Sequence, residues 1–136
     1  MNLRLIFKIY AGLNAFFIIP AVLAPEAMME GYGLIITEEI RALFNFLLGL
    51  QLMFVLVTWQ LPEWLGDNLS KAGPTYVVIV LIPFVQGLYM MSNGSVPAST
   101  QGYIESAIYA VFACLFYYYS QDQDNSMFAS EEEEEF

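Results

Sequence analysis

An all-α, up-and-down four-helix bundle built to span a membrane is the architecture this sequence predicts, and three observations carry it. The chain holds four apolar segments long enough to cross a hydrocarbon core of about 30 Å, separated by short stretches of turn chemistry. Its residues are 58% hydrophobic and 13% charged, and its mean hydropathy is +0.56, which is far too apolar for an ordinary soluble domain. Finally, the formal charge of −10 lies largely outside the apolar segments, with Glu131 to Glu135, Asp122 and Asp124 in a C-terminal tail, so the embedded part is close to neutral.

The first helix is expected over 3–23, with Arg4 and Lys8 at its start and Pro20 near its end. A cleavable signal peptide is the competing reading, since Val22 and Ala24 have the small-residue spacing of a cleavage site. Pro25, directly after Ala24, would obstruct cleavage, so a retained helix is expected. Residues 25–36 then form a loop or a short interfacial helix with Met28, Met29 and Leu34 at the membrane surface.

The second helix, over 38–61, is the most sharply delimited. Thr37 suits an N-cap, Glu38 and Glu39 place negative charge at the positive end of the helix dipole, and Trp59 and Trp64 bracket Pro62 at the far end. Residues 62–73 carry turn chemistry in Gly66, Asp67, Asn68 and Ser70. A third helix follows over 74–91, with Pro74 in its first turn and a kink expected at Pro83. After the polar turn at 92–99, the fourth helix runs over 99–119, and residues 120–136 are read as a disordered acidic tail, too polar to bury a core of their own.

Two features of the helices are candidates for function. Arg41, Asn45 and Gly49 recur every four residues and share a face. In a four-crossing bundle Arg41, Asn45, Gln86 and Glu105 fall in the same half of the membrane, and an ion pair between Arg41 and Glu105, supported by Asn45 and Gln86, is expected to lower the cost of burying either charge. An arginine snorkelling to headgroups is the alternative reading of Arg41. Asn14 and Gln51 sit nearer the midplane and would extend the cluster. Such a cluster serves either as interhelical glue or as a polar pocket for a lipid headgroup, a quinone or a pigment, or as a step in a proton or ion path resting on Glu105. The second feature is a seam of small residues on the last helix, Gly102, Ser106, Ala110 and Cys114, expected to be a helix contact.

Other classes lose support. The chain has no histidine and a single cysteine, Cys114, so no intrachain disulfide and no His- or Cys-based metal or haem site is expected. There is no catalytic constellation, no basic patch and no phosphate-cradling glycine loop, which argues against an enzyme acting alone and against nucleic-acid binding. With both termini on one side, Arg4, Lys8 and Lys71 gather there against Arg41 on the other, which predicts cytoplasmic termini in a bacterial inner membrane or an organellar membrane.

The run APEAMMEGYGL followed by TEEIRALFNFLLGLQL resembles the DoxX-like group of small four-helix membrane proteins, in which a Pro-containing loop leads to a helix opening with Glu, Arg and Ala. Glu39, Arg41, Ala42 and Gly49 match that pattern, whereas Asn45 stands where a small residue is expected, and the match covers the first half of the chain. The resemblance implies a four-helix membrane fold and, for some members, association with membrane redox assemblies. The expected partners are therefore the bilayer, other membrane subunits or a second copy, and a basic surface that could order the acidic tail. The expected function is a non-catalytic accessory or assembly subunit, with a quinone-, lipid- or pigment-binding protein or oxidoreductase subunit as the alternative.

Overall fold

The computed structural model describes the backbone of residues 2–134 and the side chains of 2–121. Over this range all the regular structure is helical, in the order α1 (Leu3–Leu23), α2 (Pro25–Gly31), α3 (Glu38–Leu65), a 3₁₀ helix (Gly66–Ala72), α4 (Gly73–Ser92) and α5 (Thr100–Glu134). Two stretches are long and apolar enough to cross a membrane, Leu3–Leu23 and Glu38–Ser92, the second comprising α3, the 3₁₀ helix and α4.

Each helix start has a local cause. The Asn2 side chain accepts from the Leu5 amide at 3.0 Å, Thr37 Oγ1 accepts from the Ile40 amide at 3.4 Å, and Ser99 Oγ accepts from the Gly102 amide at 3.1 Å. Each cap satisfies an amide that the first turn leaves without a partner. The short helix α2 begins with Pro25, whose missing N–H costs nothing in a first turn.

Two boundaries differ from the sequence expectation. Pro62 does not stop α3, which continues to Leu65 with Pro62 buried inside it; the stop is Gly66, at φ 52°, a backbone region that a side chain disfavours. At the other end, α5 does not stop at 119 but continues as helical backbone to Glu134, through residues read as a disordered tail. No glycine or proline follows Gly102, so nothing in the chain interrupts the hydrogen-bond ladder once it is running.

Helix α1 packs on α3, α4 packs on α5, and α1 meets α5 to join the two pairs, while the 3₁₀ helix touches all four long helices at one end. That end, which also holds the start of α1, is the base of the bundle. Its core is aromatic. Phe7 stands edge-on to Tyr76 at 4.5 Å between ring centroids and to Phe116 at 4.8 Å, and Tyr10 lies 4.9 Å from Phe112. Leu3, Ile6, Leu69 and Val80 fill the remaining space, all of them buried. The Tyr76 hydroxyl is shared with Thr58 at 2.9 Å, which satisfies both groups without water and ties α3 to α4. Gly73 lets α4 approach α5 closely, because a Cβ there would collide with the Ser120 side chain. Outside this core, Lys8 lies 3.3 Å and Arg4 3.8 Å from Glu63, and the Lys8 ammonium sits 4.5 Å above the Trp59 ring.

Candidate functional site

Away from the base the bundle opens. The upper turns of α1 and the first half of α3 leave Phe16, Ile19, Leu23, Leu43, Phe46 and Leu50 exposed, and α2 lies across this end. A cavity of about 290 Å³ lies between them, lined from α1 by Tyr10, Asn14 and Phe17, from the α2 region by Met28, Met29 and Tyr32, from α3 by Phe44 and Gln51, and from α5 by Glu105, Ile108 and Tyr109. A smaller cavity of about 140 Å³ lies between α4 and α5 and shares Tyr32, Glu105 and Tyr109 with the first. Glu105 therefore stands between two spaces, one faced by α1 and α3, the other by α4.

The loop after α2 reaches Glu105 through Tyr32, whose hydroxyl donates to Glu105 Oε1. Burial raises the Tyr32 pKa above the ordinary tyrosine value, and its bond to the Glu105 carboxylate raises it further, so Tyr32 remains a donor at neutral pH. Two glycines hold this loop in place. A Cβ at Gly31 would collide with the Gln101 side chain, and Gly33, at φ 72°, would bring one within 3.1 Å of Pro97. On α1, Asn14, which lines the cavity, donates from Nδ2 to the Tyr10 carbonyl at 2.8 Å and so uses an amide donor within its own helix.

The four residues expected to form one polar cluster are not brought together. Arg41 is exposed and donates to Glu26 of α2, not to Glu105. Asn45 and Gly49 continue the Arg41 stripe along an outward face of α3, and a Cβ built at Gly49 meets open space. Gln86 lies on the outer surface of α4 beside Val78, Ile82 and Val85. Only Glu105 points into the bundle. The reason for Arg41 is its depth: one turn from the helix start it can reach the surface helix α2, so it pairs there and keeps its contact with solvent. Glu26 answers in kind. Its carboxyl lies below the usual range, first through its own backbone amide and then through Arg41.

The small residues of the expected seam face α4 at Gly102 and Ser106 and turn away from it farther along. Gly102 faces Met91 of α4, whose Sδ would lie 2.9 Å from an added Cβ, and Ser106 Oγ lies 3.7 Å from one built at Gly87. Ala110 is only partly buried and Cys114 is exposed. Each step of four residues advances about 40° around a helix, so three steps carry Cys114 about 120° away from Gly102. The inward line instead alternates steps of three and four through Ser106, the half-buried Tyr109, Ala113, Phe116 and Ser120.

Tyr32, Tyr10 and Tyr109 are the site residues that sequence reasoning passed over: Tyr32 reads first as an interfacial anchor, and Tyr10 and Tyr109, inside apolar helices, carry no signal that sets them apart from packing aromatics. Glu26 was equally silent, although a carboxylate in the first turn of a Pro-led helix just before an arginine-bearing one is a usable signal. Among the described residues no group of three or more His, Cys, Asp and Glu side chains is placed to hold a metal ion. Comparison of the chain with protein-family models, with curated proteins and with solved structures gave no match.

Proposed function

We propose that the chain is an integral membrane protein of four crossings that serves as an accessory or assembly subunit of a larger membrane complex. The observation that carries this reading is the outward stripe of Arg41, Asn45 and Gly49 on α3. An amide facing hydrocarbon is costly, and a glycine beside it with open space above its Cα is the surface a second helix approaches closely. A neighbouring subunit or a second copy would cover both at once. The membrane itself is supported by inverted burial. Only 6% of the most apolar window within Glu38–Ser92 is buried, whereas a helix that apolar in a soluble protein would form the core.

Four crossings place Arg4, Lys8 and Lys71 at the base and Arg41 at the open end, so the base faces the cytoplasm of a bacterium or the equivalent side of an organellar membrane. The likeness to the DoxX-like group, resting on Glu39, Arg41, Ala42 and Gly49, belongs to the same proposal. Extraction from the native membrane in mild detergent, followed by native mass determination, tests it. A defined assembly larger than the chain is expected, and Asn45→Leu with Gly49→Leu should release the chain from it; recovery as a lone monomer would refute the reading.

A second reading is favoured by the cavity at Glu105. There the chain holds a small amphiphilic molecule, with a lipid, a quinone and a pigment among the candidates. Purification with full extraction of bound small molecules separates the two readings.

A further inference from the structure

We infer that the cavity between α1, α3 and α5 takes a lipophilic organic cation, with its positive head against Glu105 and its apolar body among the surrounding rings; this rests on the small-molecule reading of the cavity. Three observations lead to it. The first is charge. Among the described residues Glu105 is the sole charged one lining the 290 Å³ cavity, with no Lys or Arg beside it there, and Arg41, the nearest candidate by sequence reasoning, is engaged with Glu26. A carboxylate inside an apolar bundle is stabilised most by a cation that arrives with the ligand.

The second is the character of the walls. Tyr10, Phe17, Tyr32, Phe44 and Tyr109 supply ring surface on four sides from α1, the α2 region, α3 and α5. Aromatic faces around a carboxylate are the surroundings that bind an organic ammonium, because the ring quadrupoles attract the charge and the rings cover its methyl or methylene groups. The third is size. A volume of about 290 Å³ stands at the lower end of ligand cavities and suits a compact head with one ring or a short chain. A choline phospholipid would present the same ammonium head, but it would bring a phosphate into a lining that holds a carboxylate and no cation. A free cation has no such penalty.

The test uses the full chain in dodecyl maltoside and tritiated benzyltrimethylammonium, with equilibrium dialysis as the readout. Saturable binding of one cation per chain is expected, displaced by excess unlabelled cation but not by neopentylbenzene, its uncharged carbon isostere, nor by diheptanoyl phosphatidylcholine. Glu105→Gln should weaken binding about tenfold or more, while Gln86→Leu, on the outer face of α4, should leave it unchanged. If Glu105→Gln does not fold, Tyr109→Leu carries the comparison, with weaker cation binding expected from loss of a ring face. Absence of saturable binding overturns the proposal, while the small-molecule reading itself falls only if extraction of the purified protein also yields no bound molecule. Displacement by neopentylbenzene, with Glu105→Gln binding as wild type, leaves a ligand cavity standing but removes its selectivity for charge. Displacement by the phosphatidylcholine reassigns the cavity to a lipid headgroup.

Discussion

The base of the bundle and its open end are made of similar residues put to opposite uses. Phe116, at the base, is 0% exposed and packs against Phe7, Tyr10 and Tyr76, whereas Phe46, on the first half of α3, is 64% exposed. The two acids Glu63 and Glu105 differ as sharply. Glu63 lies outside the base core beside Arg4 and Lys8, while Glu105 lines two cavities and accepts from Tyr32. In an apolar chain hydrophobicity alone therefore says little about where the core is. Close packing locates it, and here the aromatic core cluster lies at the end where the 3₁₀ helix gathers all four long helices.

The largest effect expected from this contrast is on packing. Phe116→Ala should cost about 3–5 kcal/mol of stability, measured by denaturant unfolding in micelles, while Phe46→Ala should cost less than about 0.5 kcal/mol in the isolated chain. Equal losses would erase the distinction between the two ends. Glycines give a second comparison. Gly73→Leu drives a side chain into Ser120 and should cost roughly 1–3 kcal/mol, whereas Gly49→Leu meets open space and should leave the isolated chain's unfolding midpoint unchanged or slightly raised. A smaller loss, about 1–2 kcal/mol, is expected for Thr58→Val, which leaves the buried Tyr76 hydroxyl without its partner.

The smallest effect belongs to the surface pair at the open end. The Glu26 carboxyl is held below its ordinary value of 4.5, so its contribution is complete above that value and is lost as the pH falls through the depressed one. A titration of the unfolding midpoint below pH 4.5 should therefore show a slight acid-side fall that Glu26→Gln reduces, and that high salt weakens only in the part owed to Arg41, because an exposed pair is strongly screened whereas a bond to the backbone amide is not.

Much of the fold was legible because helix boundaries in this chain depend on short-range chemistry. Thr37, Pro74 and the polar run before Thr100 mark starts that neighbouring residues alone decide. The site was less legible for the opposite reason. Which face of α3 turns inward depends on packing against α1, and no residue within α3 encodes it, so Arg41 and Asn45 were expected inside the bundle and lie on its outside. Glu105 was found because an acid in an apolar helix stands out against its background. Its partner Tyr32 lies in a loop that is 73 residues away in sequence, and only the fold of α2 over the bundle brings the two together.

The most direct test of a packed base beneath an open, ligand-accessible end is the thiol reactivity of two cysteines placed in a Cys114→Ser background. One is introduced by Ile108→Cys, on the wall of the larger cavity, and the other by Val80→Cys, where the native side chain is 0% exposed in the base core. A small uncharged thiol reagent applied to the folded protein should modify position 108 and spare position 80, and benzyltrimethylammonium should slow the reaction at 108. Equal reaction at the two positions, or protection of both, would contradict the division of the molecule on which this account rests.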